Sequence, residues 1–310
     1  MSDSLAALRR QITGADDLHA VVRTMKAVAA SSIGEYERSV VALADYDRMV
    51  SLGLGECFRQ AQVDPTVPPE RRVSAKASDP IGAIVFGSDQ GLIGPFNDVI
   101  ADHAASTLAT LPGRAQVWAV GERVESRLKD LRLDVRGVYD VPASVEAIAL
   151  LVAQIQIDSE TRLAKSGPNQ LGQIHVFHNR PLAASLYEPV VQRVLPLDAA
   201  WQQSLEAEPW PGKVLPEVMD HGATTLRALI REYLFITLFR ACAESLASEN
   251  ASRLAAMERA DRNILRLLED LQGSFHRQRQ GAIDEELFDV TSGYEALARP
   301  TPGNSRARTC

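Results

Sequence analysis

The residues best placed to do chemistry stand in a glycine-punctuated run, Gly87-Ser88-Asp89-Gln90-Gly91-Leu92-Ile93-Gly94, directly after the apolar stretch Ile81 to Phe86. A loop of this kind between a strand and a helix can present backbone N–H groups to an anion. Its details match neither of two nucleotide-binding patterns. A Walker A loop needs Gly-Lys-Ser/Thr where Gly94-Pro95-Phe96 stands, and a dinucleotide loop needs two glycines separated by one residue. The expectation is therefore a structural turn, with weak anion binding as the alternative. His175 and His178 lie three apart in a strand-like stretch, so they point to opposite faces and do not converge on a metal. Glu285 and Glu286 are neighbours on a helical stretch and read as a solvated face. Cys57, Cys242 and Cys310 share neither a short spacing nor a histidine neighbour, which suggests no zinc site and no disulfide framework; the first two read as buried apolar filler. No catalytic set, cofactor site or metal site emerges.

The elements that would position these residues follow from periodicity. Ile81–Phe86, Gln116–Val120 and Leu133–Val138 read as strands, alternating with helices at about Pro95–Leu111, Arg123–Asp130 and Ser144–Asp158, the last capped by Ser144. This alternation predicts an α/β, Rossmann-like, mostly parallel sheet with helices on both faces. Ile174–Asn179 and Ser185–Leu195 read as late strands, joined by a hairpin turning at Arg180-Pro181. Long helical stretches bracket this region. From Thr225 to Ala298 there is no proline, and a straight helix of that length spans on the order of 110 Å, so it needs a partner along its length. Its seam is Ala247, Asn250, Leu254, Met257, Asp261, Ile264, Leu268, Leu271, Phe275, Gln278 and Ala282. The N-terminal stretch keeps the same spacing at Leu5, Leu8, Ile12, Ala15, Leu18, Val22, Met25, Ala29, Ser32, Tyr36, Val40 and Leu43. The resulting division is a helix over 1–62, an α/β domain over 80–195, a proline-rich connector over 196–224, a helix over 225–298 and a frayed tail over 299–310. Residues 63–79 read as a loop.

Composition narrows the function classes. The 310 residues are 45% hydrophobic, enough for a real core, and no run approaches the ~20 apolar residues of a membrane span. The first ten residues carry no apolar signal core, an expectation against secretion. A net charge of −7 disfavours a general nucleic-acid binder, which accumulates positive charge. Arginines outnumber lysines 28 to five, a bias that suits planar pairing with carboxylates.

Three stretches then carry a resemblance: Arg23-Thr24-Met25-Lys26-Ala27-Val28-Ala29-Ala30-Ser31, the loop Gly87 to Asn97, and Glu244 to Leu254 with Met257. Together with Arg279-Gln280-Gly281-Ala282-Ile283 and Glu286-Leu287, they resemble the γ subunit of F-type ATP synthases, in the right order and over nearly the whole chain. The resemblance implies a central rotor shaft, an antiparallel coiled coil of the two terminal helices, with an α/β domain at its foot. It also implies a non-catalytic role, coupling rotation of a membrane ion-carrying ring to conformational change at the β-subunit sites that make or hydrolyse ATP. Its partners would be the α and β subunits, ε and the membrane c-ring, with no cofactor, no nucleic acid and no direct membrane span. The location would be peripheral, on the cytoplasmic face of a bacterial inner membrane. Met25 falls where the family packs the shaft against a β-subunit loop; Arg253, Arg279 and Gln280 fall where it makes polar contacts with β subunits. Lys26 and Asp284 depart from the common pattern at this contact set, and Glu208 matches a residue facing the ring. The run from Val21 to Gly34 resembles the alternate N-ATPase branch, thought to move sodium or protons. Two other readings stay open: a nucleotide-dependent α/β enzyme with helical dimerisation arms, and a coiled-coil scaffold, which leaves the α/β region unexplained.

Overall fold

The structure is a computed structural model that describes residues 2–63, 80–164, 171–182, 187–197, 199–214, 216–217 and 223–298. The tail expected over 299–310 lies outside the described residues, as does the expected loop except for Val63, which ends a helix. In chain order the elements are α1 (Ser2–Ala42), α2 (Ala44–Val63), β1 (Ile81–Phe86), α3 (Phe96–Thr110), β2 (Ala115–Val120), α4 (Glu122–Asp130), β3 (Val135–Tyr139) and α5 (Val145–Ala164). They continue with β4 (Gln173–Pro181), β5 (Tyr187–Leu195), α6 (Ala199–Ala207) and α7 (Ala223–Ala298). The chain divides into two units, residues 26–256 and residues 1–25 with 257–310.

In the larger unit the five strands are ordered β3-β2-β1-β4-β5. All neighbours are parallel except β4 and β5, which pair antiparallel. Every residue of β1 is buried, as a central strand covered on both faces must be. Ile81, Ala83, Val85, Val117, Ala119 and Phe177 face α3 and α4 through Ile100, Ala104, Val124 and Leu128. On the other face, Ile84, Phe86, Val120 and Val176 meet Ile148 and Val152 of α5, Leu238, Cys242 and Leu246 of α7, and Tyr36 of α1. This alternation of side chains between two helical layers is the consequence of the two-residue strand period.

Two local expectations are corrected. Arg180 and Pro181 are strand residues, paired with Glu188 and Tyr187, so the β4–β5 ladder runs through both, with the Arg180–Glu188 ion pair at 2.6 Å across it. The first helical stretch is not one helix: it breaks at Leu43, where the Leu43 N–H reaches the Val40 carbonyl at 3.3 Å instead of bonding one residue further back, and α2 starts anew. α2 then packs on α6 and α7 through Val50, Leu54, Leu205 and Ile236. Gly55 permits this approach, since a Cβ there would stand 2.5 Å from the Leu205 carbonyl oxygen. Cys57 and Cys242 are buried.

The smaller unit is a pair of helical segments. Ser4 Oγ donates to Gln278 Oε1 at 2.7 Å, the Arg9 guanidinium lies 5.5 Å from the centre of the Phe275 ring, and His19 Nε2 meets Asp261 Oδ1 at 2.9 Å. Residue numbers rise on α1 as they fall on α7, so the segments run antiparallel. Ala15, Val22, Met257, Ile264 and Leu268 form the buried seam. Two expected seam positions move outward: Leu18 is 54% exposed, with His19 turned inward in its place, and Gln278 is exposed while bonding Ser4. An α-helix drifts about 20° per heptad from a strict 3.5-residue repeat, enough to exchange neighbouring positions at the edge of the stripe.

Candidate functional site

The glycine loop uses its own polar groups. Asn97, in the first turn of α3, accepts from the Ser88 N–H at 3.1 Å and donates to Ser88 Oγ at 2.8 Å, while that hydroxyl donates to the Gln90 carbonyl at 3.0 Å. Asp89 accepts from the backbone N–H of Glu122, at the start of α4, and of Val141, after β3, at 2.9 and 3.1 Å. A carboxylate of the chain thus occupies the anion position at the N-terminus of α4. A Cβ on Gly87 would stand 2.3 Å from Val124 Cβ, so the loop is packed against α4. These contacts make it the structural turn that the missing lysine pointed to.

What the loop and the end of β4 meet is one face of α7. Glu244, Ser248 and Ser252 stand four residues apart and so share a helix face. Glu244 Oε2 meets His178 Nε2 at 2.9 Å, Ser248 Oγ donates to the Asn179 carbonyl at 3.0 Å, and Ser252 Oγ donates to the Ile93 carbonyl. Asn179 Nδ2 closes the set by donating to the Phe96 carbonyl at 3.2 Å. The ladder clamps α7 to the carboxyl-terminal ends of the strands, where an α/β protein commonly places a ligand.

One turn round the same helix, Arg253 Nη2 donates to Glu249 Oε1 at 2.6 Å and Nη1 to Asn250 Oδ1 at 3.3 Å. The Arg253 and Glu249 side chains are 13% and 6% exposed. Burial raises the Glu249 carboxyl above its ordinary range, opposed by the Arg253 charge beside it. Burial also pushes the nearby Tyr36 hydroxyl up to about 12. Glu249 Oε2 and Arg253 Nε have no hydrogen-bond partner among the described residues.

The sequence-predicted contact residues fall in both units, Met25, Arg279, Gln280 and Asp284 in the smaller and Lys26, Glu208 and Arg253 in the larger. Met25 and Lys26 are half-buried on α1, and Arg253 is held against its own helix. Arg279, Gln280 and Asp284 are exposed on the last part of α7, with the apolar Ile283, Leu287 and Phe288 exposed among them. Glu208 is exposed just after α6, whose end is held by Arg59 Nη1 donating to the Glu206 and Glu208 carbonyls at 2.8 and 2.9 Å. Sequence reasoning missed the roles of Asp89, Asn97, His178 and Glu244, because their partners lie nine to 66 positions away, beyond the reach of any local period. Their one local signal was the serine repeat after Glu244.

The class defined by these features is an α/β domain bracketed in sequence by two long terminal helices that pair antiparallel, with its strand-end chemistry turned inward onto the last helix. The family model for ATP synthase matches residues 4–297, and the chain belongs to that family, in its gamma-chain branch. It is 28% identical to the ATP synthase gamma chain of Salinibacter ruber, over 95% of this chain and 98% of that one. It is 25% identical to the gamma chain of Clostridium pasteurianum, over 96% and 99%. Among solved structures, a chain in the OSCP/F1/c-ring assembly of the Euglena gracilis mitochondrial ATP synthase matches with a TM-score of 0.62 at 16% identity, covering all of both chains. A chain in the rotor of the same enzyme matches with a TM-score of 0.57 at 16% identity, over 91% of this chain. The role that goes with membership is that of the central-stalk subunit. No helix among the described residues is long and apolar enough to cross a membrane.

Proposed function

We propose that the chain is the non-catalytic coupling subunit of an F-type ATP synthase: its helical pair turns with a membrane ion-carrying ring and biases each β-subunit catalytic site in turn. The observation that carries this reading is where polar chemistry remains. The strand ends and the glycine loop hold α7 through Glu244, Ser248 and Ser252, whereas Arg279, Gln280 and Asp284 stand exposed near the end of that 76-residue helix. A guanidinium there makes parallel charge-assisted bonds to carboxylates and does not lose its proton. Exposed apolar residues beside it would be covered by a surrounding ring of α and β subunits. Met25, Lys26 and Arg253 are assigned to the same β-subunit contacts. Glu208, at the secured end of α6, is assigned to the c-ring, with ε as a further partner. In this reading the complex holds the chain at the cytoplasmic face of the inner membrane.

The test is a reversible lock. In the reconstituted complex of this chain with α and β subunits, a disulfide from Ile283→Cys to a cysteine placed in a β subunit should stop ATP turnover, and reduction should restore it. Turnover continuing with the crosslink complete would show that this helix does not move against the ring during catalysis.

A further inference from the structure

In the larger unit the body of α6 is fixed by packing, since Leu205 lies with Val50, Leu54 and Ile236 in one buried cluster. The chain that leaves α6 has no such cover. The stretch 208–214 is exposed apart from the half-buried Trp210, and Val214 is 81% exposed. Pro209 and Pro211 have no N–H to donate, which removes two of the bonds that could steady it. Past Ala207, the last residue of α6, no further helical N–H follows to meet the closing carbonyls.

One turn of α2 supplies donors to both sides of this stretch. The Glu56 side chain is 6% exposed, and its two oxygens are divided between two neighbours on its own helix. Oε2 accepts from Arg59 Nε at 3.1 Å and from Nη2 at 2.8 Å, and Oε1 accepts from Gln60 Nε2 at 3.0 Å. With two of its three nitrogens so held, the planar guanidinium is fixed in orientation. Its third nitrogen, Nη1, is thereby aimed at the Glu206 and Glu208 carbonyls, 2.8 and 2.9 Å away. A cation at the carboxyl end of α6 also complements the helix dipole. On the far side of the stretch, Gln60 Nε2 reaches the Pro216 carbonyl at 3.5 Å, a longer and weaker contact. One buried carboxylate thus directs a side chain to each end of 208–214.

We propose that Glu56 is a positioning residue: through Arg59 and Gln60 it holds both ends of 208–214 on one turn of α2 and presents that stretch as a closed loop. The closure stands on these contacts alone. That the loop serves the membrane ring rests on the assignment of Glu208 made above.

The experiment is limited proteolysis of the full chain by an endoproteinase that cuts after lysine, with the fragments counted by mass spectrometry. Lys213 lies in the loop, and Lys129, in the last turn of α4, reports general loosening. Cleavage follows the population of the open form when opening and closing are fast. Glu56→Leu should therefore raise cleavage after Lys213 by about tenfold or more relative to cleavage after Lys129. Arg59→Met should give most of that rise and Gln60→Ala a smaller part. Adding Arg59→Met to Glu56→Leu should change the ratio by less than about twofold, because residues that act as one network are not additive. A ratio unmoved by Glu56→Leu, cleavage rising alike at both lysines, or additive rises from Glu56→Leu and Arg59→Met would each overturn the proposal. If Glu56→Leu does not fold, Glu56→Gln, which leaves one acceptor oxygen for two donors, is read by the same ratio and the same criteria. Reconstituted vesicles then read the ring separately: Arg59→Met should lower ion pumping while the soluble assembly keeps its ATP hydrolysis. An opened loop with pumping unaffected would leave the positioning role standing and count against the ring contact of Glu208.

Discussion

The two units solve the problem of holding a helix in opposite ways. In residues 26–256, α7 lies on a sheet covered on both faces, and Glu244, Ser248 and Ser252 of its contact with β4 and the glycine loop meet partners from distant elements, His178, Asn179 and Ile93. In residues 1–25 and 257–298, the same helix has a single seam, and Leu287, Phe288 and Tyr294 are 59%, 74% and 74% exposed. The first arrangement is sufficient within the chain. The second is unfinished, and what is left outside is a row of apolar and charged groups suited to a surrounding surface. Fold and contact are thus assigned to different stretches of one helix, so changes in one should leave the other intact.

The largest contrast should appear in hydrogen exchange of the free chain. Amides of β1, β2 and β4 should exchange on the order of a thousandfold more slowly than those of residues 276–294, as expected between a doubly covered sheet and an unsupported helix end. Equal protection in the two regions would erase the comparison. A break confined to the self-sufficient unit comes next. Asn97→Ala removes both bonds to Ser88, which is fully buried, and should destabilise that unit by about 2–4 kcal/mol, read by denaturant unfolding. A loss below 0.5 kcal/mol, on the order of an ordinary surface substitution, would show that the loop is held by other means.

A break on the unfinished side should spare stability and affect rate. Arg279→Ala with Gln280→Ala should slow turnover of the assembled complex by about tenfold, equivalent to ~1.4 kcal/mol at a rotation step, with the melting temperature of the free chain unchanged. Asp284→Ala in the same series tells whether that carboxylate supplies a substitute contact; turnover within about twofold of wild type in all three variants would remove them from the contact set. A smaller effect is expected at Glu208. Glu208→Lys should weaken ion pumping by roughly twofold in reconstituted vesicles through like-charge contact with a basic ring loop, leaving ATP hydrolysis by the soluble assembly as it was. Unchanged pumping would detach Glu208 from the ring.

The smallest effect sharpens the comparison through pH. Burial, then the Arg193 charge, holds the His175 imidazole below its ordinary value of 6.5, so the folded state resists a proton that the unfolded chain accepts. The contribution to stability is therefore complete above that value and is lost as pH falls below it. His175→Gln should flatten this acid-side slope for the larger unit and leave the exchange of residues 276–294 untouched; an identical slope in both proteins would place the acid sensitivity elsewhere.

Much of the architecture was legible in the residues alone because it is written in short periods. Ile81–Phe86 reads as a strand from its own apolar run, α7 reads as a long helix from the lack of proline, and Gly94-Pro95-Phe96 argued for a turn by what it lacked. Site residues near the end of α7 came from family words rather than from spacing, and their exposure is consistent with contact but does not follow from any local pattern. Only the tertiary structure decided which side chains meet. It put His19 rather than Leu18 on the seam, since a helix of 3.6 residues per turn drifts against a strict heptad. It kept Arg180 and Pro181 in β4, because pairing with β5 outweighs a local turn signal. It joined Glu244, Ser248 and Ser252 to His178, Asn179 and Ile93, partners 66 to 159 positions distant, whose meeting depends on the path of the whole sheet. Periodicity records the face an element buries, whereas a hydrogen bond between distant elements exists only once the fold has brought both ends together.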